Sequence, residues 1–130
     1  MKNKFATCIS CIDGRVQLPV ISFIKKHFKV DFVDMITEPG VDKVLSKNQD
    51  KTTIVAIKNK VSLSVKKHNP KVIVLVGHFD CLANPVSKQI HIRQIKLSVE
   101  IIRKWALNVS AAGVWVNSCW QAKEVLIYKY

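Results

Sequence analysis

At 130 residues with 48% hydrophobic and 23% charged side chains, the chain is composed like an ordinary folded protein, which excludes disorder. It is expected to form a single domain over residues 1–130, large enough to bury a core without a disulfide staple. The net charge of +12 comes mostly from lysines scattered singly and in pairs, with arginine only at Arg15, Arg93 and Arg103. Without a basic run or interleaved aromatics, this reads as a solvated surface, so nucleic acid is not an expected partner.

No apolar stretch is long enough to span a bilayer, and no secretory pattern opens the chain, so a cytoplasmic protein that does not engage membranes is expected. Cys8, Cys11, Cys81 and Cys119 then read as reduced thiols, and their spacings as metal or redox sites.

Phe5–Ile9 is β-branched and apolar, as a strand should be. Pro19 is placed in the first turn of a helix carrying Val20, Phe23, Ile24 and Phe28 on one face. Val30–Ile36 alternates as a strand, and Thr37-Glu38-Pro39-Gly40 is a turn or loop. From Asp50, a capping residue, Ile54, Ile57, Val61 and Val65 mark a helix running to His68. Val72–Val76 is a continuous apolar run, the pattern of a buried parallel strand. Asn84-Pro85 opens a helix whose stripe is Ile92, Ile95, Val99 and Ile102, through Trp105. Ala112–Val116 reads as the last strand, and Gln121–Tyr130 as a short closing helix or arm.

Strands alternating with helices imply an α/β fold: a parallel sheet of about four strands, in order 2-1-3-4, flanked by helices. In that order the first and third strands are neighbours whose connections leave in opposite directions, and ligands gather beyond their carboxyl ends. Cys11 lies just past the first of these strands, and His78 with Cys81 just past the third. Two sulfurs and one nitrogen form a zinc set that leaves one coordination position open for chemistry. Cys8 makes a Cys-x-x-Cys with Cys11 and would close the set. It should lie inside the strand, however, about 10 Å of extended chain away, so it reads as a core residue.

The stretches Cys11-Ile12-Asp13-Gly14-Arg15 and Gly77-His78-Phe79-Asp80-Cys81 resemble the beta-class carbonic anhydrases, whose signature is Cys-x-Asp-x-Arg after the first strand and His-x-x-Cys after a later one. Pro19, Pro39-Gly40 and the strand before Gly77 extend the similarity. The resemblance implies that Cys11, His78 and Cys81 are zinc ligands, that Asp13 and Arg15 are the catalytic dyad, and that the chain assembles as a homodimer or dimer of dimers. Two departures stand out: Leu82 occupies the place of a customary Gly, and Thr37-Glu38-Pro39-Gly40-Val41 replaces Arg-Asn-Ala-Gly-Asn. Because the first strand begins close to Met1, an interface is expected to use the sheet edge and early loops instead of helical arms.

Zinc makes hydroxide available near neutral pH, and the implied reaction is reversible hydration of carbon dioxide to bicarbonate. By the residues themselves, Asp13 can ligate the metal or pair with the planar fork of Arg15. One rival reading is hydrolysis of another small heterocumulene, carbonyl sulfide or carbon disulfide. Another is a non-catalytic, zinc-braced binding module with a basic surface. His27 and His68 end helices and read as capping or exposed, His91 reads as exposed early in its helix, and Trp105, Trp115 and Trp120 as core or interface residues. Asp80 is either an acceptor behind the ligands or a solvated carboxylate.

Overall fold

The computed structural model describes residues 2–130. Five strands and four helices follow in the order β1 (Phe5–Ser10), α1 (Gly14–Phe28), β2 (Phe32–Thr37), α2 (Val41–Lys47), α3 (Lys51–His68), β3 (Val72–His78), α4 (Lys88–Lys104), β4 (Ser110–Val116) and β5 (Ala122–Tyr128). They build one sheet in the order β2-β1-β3-β4-β5. The first four strands are parallel, and β5 runs antiparallel to β4.

The period-2 alternation of the strands divides the core between the two faces. Ala6 and Cys8 of β1, with Val72, Val74 and Val76 of β3, pack against Val16, Val20 and Ile24 of α1. On the opposite face Ile9, Ile73 and Leu75 meet Leu45 of α2, Ile57 and Val61 of α3, and Ile95 and Val99 of α4. Because β3 is covered on both faces, all seven of its residues are buried, as its unbroken apolar run requires.

The four parallel strands stand in the expected order. The helix from Lys51 is capped by Asp50, whose carboxylate accepts from Thr53 N at 3.1 Å. Three expectations are corrected. Gln121–Tyr130 is not a closing helix or arm; its Ala122–Tyr128 stretch is strand β5, and Ser110–Val116 is therefore not the last strand. The physical cause is the turn before it. Asn117 Oδ1 accepts from Cys119 N at 2.9 Å and Gln121 N at 3.0 Å, and Trp120 takes a positive φ, which reverses the chain into a hairpin. Helix α1 begins at Gly14, five residues before Pro19, because the Asp13 carboxylate caps it through Arg15 N at 2.9 Å. Finally, Val41–Lys47 forms a short helix after the Pro39-Gly40 turn, where no element was expected.

Candidate metal centre

Strands β1 and β3 are paired in parallel, Cys8 opposite Val74 and Ile9 opposite Leu75, so their carboxyl ends leave the sheet side by side. Cys11 follows β1 directly, and His78 is the last residue of β3. The turn that returns Cys81 to His78 needs Asp80 in the left-handed region (φ 57°), which aspartate tolerates better than most residues. Ligand atoms of Cys11, His78 and Cys81 consequently lie within 4.8 Å of one another, and all three side chains are buried.

The imidazole of His78 is oriented by its own loop. Nδ1 donates to the Phe79 carbonyl oxygen at 2.7 Å, which fixes the proton on Nδ1 and leaves Nε2 with a bare lone pair. That Nε2 is fully enclosed and has no hydrogen-bond partner among the described residues. A buried, unmet nitrogen beside two thiols is costly in a protein interior unless something binds it. A zinc-like cation satisfies it, and the donor set of two sulfurs and one nitrogen suits that metal.

Charge at the site tells the same story. Burial pushes the Cys11 thiol up, but the adjacent His78 ring and hydrogen bonds from the Gly40 and Asp13 backbone outweigh it and bring the thiol down to about 7. Burial and the neighbouring Cys11 charge push Cys81 up to about 11. Burial alone favours the neutral imidazole of His78, yet the Cys11 thiolate raises its affinity for a proton overall. One thiolate thus forms readily and the second is resisted by the first, a conflict that a divalent cation between them removes.

Asp13 is not part of the three-residue cluster. Arg15 donates to it through Nε (to Oδ1, 3.1 Å) and Nη2 (to Oδ2, 2.7 Å). These bonds hold the Asp13 carboxyl down at about 2. The same guanidinium reaches the Asp80 carboxylate through Nη1 and the Asp80 carbonyl through Nη2, both at 3.1 Å, and stacks over the Trp120 ring at 4.5 Å. Asp80 is thus both solvated and an acceptor for Arg15. Gln17 braces the loop from within α1, its Nε2 donating to the Cys11 and Asp13 carbonyls at 2.8 Å each.

Cys8 is fully buried in the face against α1, away from the three-residue cluster, and burial pushes its thiol far up. Cys119 is exposed. Leu82, 95% exposed, sits at the rim of a cavity of about 670 Å³ that Arg15, Asp80, Cys81 and Trp115 also line. Of the tryptophans, Trp115 is buried while Trp105 and Trp120 are half-buried.

One expectation about the histidines fails. His91 is buried, 2% exposed, and its Nδ1 donates to Asp42 Oδ2 at 2.6 Å. Asn84 Nδ2 donates to Asp42 Oδ1 at 3.0 Å and to Gln94 Oε1 at 2.7 Å, which completes a buried polar cluster joining α2 to α4. The signal was present in the helical stripe, because His91 lies four residues before Ile95 and so shares its inward face. His27 and His68 do end helices, but each pairs with a carboxylate: His27 with Glu124 at 3.0 Å and His68 with Asp34 at 2.7 Å.

Comparison with solved structures finds the same fold in beta-carbonic anhydrase isoform I of Trichomonas vaginalis (TM-score 0.62, 16% identity, covering 96% of this chain and 83% of that one). It also finds one of two beta-carbonic anhydrases of the ascomycete Sordaria macrospora, described as tetrameric (TM-score 0.58, 16% identity, 98% and 84% covered). A carbonic anhydrase of Glaciozyma antarctica is similar too (TM-score 0.59, 10% identity, 93% and 81% covered). No curated protein matches the sequence. The family model described as "Putative carbonic anhydrase" matches residues 1–126, and the chain belongs to that family.

Proposed function

We propose that the protein catalyses the reversible hydration of carbon dioxide to bicarbonate and a proton, at a zinc ion held by Cys11, His78 and Cys81. The observation that carries this reading is the enclosed, unpartnered Nε2 of His78 beside the Cys11 and Cys81 sulfurs. Zinc bound there supplies the Lewis acidity that makes a water-derived nucleophile available near neutral pH.

The chain's own residues do the rest. The Phe79 carbonyl holds the His78 ring in the ligating tautomer. Arg15 grips the Asp13 carboxylate through two of its nitrogens, so Asp13 stays ionised and would serve as a hydrogen-bond acceptor beside the metal instead of as a further ligand. Trp120 and Asp80 fix the guanidinium, so the pair is pre-set before substrate arrives. The test is stopped-flow hydration by zinc-loaded protein, with carbonyl sulfide and carbon disulfide as competing substrates. Hydration that Asp13→Ala and Arg15→Ala abolish supports the reading; zinc-replete protein that turns over only the sulfur compounds, or nothing, rejects it.

We also propose a homodimer or dimer of dimers. Ile12, Leu18 and Leu82 are exposed apolar side chains on the loops and helix around the site, and Phe32 is half exposed on the edge strand β2. The four free cysteines fit a reducing compartment such as the cytoplasm. No helix is long and apolar enough to cross a membrane among the described residues.

A further inference from the structure

Lys2 and Lys4 lead into β1, Lys67 sits in the last turn of α3, and Lys71 leads into β3. Far apart in the chain, they meet because β1 and β3 are parallel neighbours, with Lys71 N donating to the Phe5 carbonyl at 2.8 Å. With Phe5 and His68 they line a cleft of about 440 Å³ at the amino ends of these strands, opposite the end that carries the metal centre. We propose that this cleft binds a small organic ligand carrying two phosphate groups, an assignment independent of the hydration reading.

The charge of the cleft is one-sided. No carboxylate lines it, and none of its four lysines forms an ion pair among the described residues. Asp31 and Asp34 approach it but are engaged elsewhere. Asp31 Oδ2 accepts from the backbone N of Lys4 at 2.6 Å. Asp34 Oδ2 accepts from Ser64 Oγ at 2.6 Å and from His68 Nδ1 at 2.7 Å. Four unpartnered ammonium groups repel one another, and a polyanion removes that repulsion. A phosphate monoester carries a charge of about −1.5 to −2 near neutral pH, so two of them match four lysines. Lysine serves phosphate well as a point-charge donor. The volume suits a small organic molecule better than a bare ion.

The cleft is also formed before any ligand arrives. The Lys4 carbonyl accepts from Asp31 N at 2.8 Å and from Phe32 N at 3.1 Å, which fixes the backbone that leads into β1. The His68 ring stacks on Phe5 with centroids 3.9 Å apart, while its Nδ1 is held by Asp34. Lys71 Nζ donates to the Phe28 carbonyl at 3.1 Å, and an ammonium keeps two further N–H groups for a ligand. Complementing a helix dipole accounts for Lys67 at the end of α3 and for Lys71 at the end of α1. It does not account for Lys2 and Lys4, which precede a strand.

Zinc-loaded protein tests this, with fructose 1,6-bisphosphate as the probe and ¹H–¹⁵N spectra and calorimetry as the readouts. The amide signals of Lys4, Phe5, Lys67 and Lys71 should shift saturably, while those of Arg15 and His78 stay in place. The double variant Lys4→Gln, Lys67→Gln should bind about tenfold more weakly. The double variant Lys43→Gln, Lys47→Gln removes the same charge from α2 and should bind as wild type does. Phosphatidylcholine vesicles with and without phosphatidylinositol bisphosphate then separate the sources. Cosedimentation that needs the bisphosphate lipid, Lys4 and Lys67 assigns the phosphates to a lipid headgroup; its absence assigns them to a free bisphosphate. Equal weakening in both double variants would mean attraction to net charge alone and overturns the site. So do wild-type spectra in which millimolar probe leaves the cleft unshifted or shifts Arg15 and His78 instead, a result that needs no variant to fold.

Discussion

His78 Nδ1 donates to the carbonyl of its own neighbour, Phe79, at 2.7 Å, and this short bond leaves Nε2 enclosed and unpaired at the end of β3. Both atoms belong to one tight turn, so the tautomer with a free Nε2 is built into the backbone. The same turn returns Cys81 to the site through the left-handed conformation of Asp80.

Metal binding should follow this geometry. Cys11→Ser and Cys81→Ser should each lose zinc and unfold at a lower temperature than wild type, since metal affinity is partly folding energy. Cys8→Ser should retain one zinc per chain, because Cys8 lies outside the cluster. Metal analysis of the purified variants with thermal unfolding checks this; full zinc in either of the first two variants would refute the assignment.

Thiol labelling should separate the four cysteines by environment. In zinc-loaded native protein iodoacetamide should modify Cys119, which is exposed, and leave Cys8, whose thiol is buried and held protonated. Cys8 should react only after denaturation. Peptide mass spectrometry reads the sites, and rapid labelling of Cys8 in folded protein would contradict the packing.

Gly77 is next to His78 and has no room for a side chain. A Cβ there would lie 2.7 Å from Asp42 Oδ2 and 2.9 Å from Ile95 Cδ1. Gly77→Ala should cost about 1–3 kcal/mol by overpacking. Denaturant unfolding checks the value, and an unchanged midpoint would mean that Asp42 and Ile95 yield freely.

The cap of α3 gives a pH dependence. Bonds from the Thr53 hydroxyl and backbone N–H lower the Asp50 carboxyl below its ordinary 3.8 in the folded state. Its contribution is therefore complete above that ordinary value and disappears as pH falls through the lowered one. Asp50→Ala should be less stable than wild type at pH 7, and the gap should narrow on acidification below about pH 4. Thermal unfolding of the pair across this range tests the sign; a gap that widens in acid would reverse it.

Assembly is tested by light scattering. Association as proposed should bury more than about 1,000 Å² in total and persist at micromolar concentration. A monomer there would contradict it.

The parallel sheet and the three-residue cluster were legible because each depends on local pattern: short β-branched, largely apolar runs for β1 and β3, and cysteine and histidine side chains placed at or just past their ends. The fifth strand was not, because Gln121–Tyr130 carries no clean alternation. Its state is decided by the Asn117 turn and by pairing with β4. Helix α2 is only seven residues long, too short for periodicity to show, and with it the buried partner of His91 was hidden. The setting of Arg15 depends on Trp120, more than a hundred positions away, a contact that only the folded hairpin creates.

The central claim is that one metal ion is held by Cys11, His78 and Cys81 in a site that Asp13 leaves open. Zinc X-ray absorption on the loaded wild-type protein tests it most directly. Two sulfurs and one imidazole nitrogen from the protein are expected in the first shell. Three sulfurs would bring Cys8 into a closed structural site, and a shell without sulfur would place the metal elsewhere; either result contradicts the account.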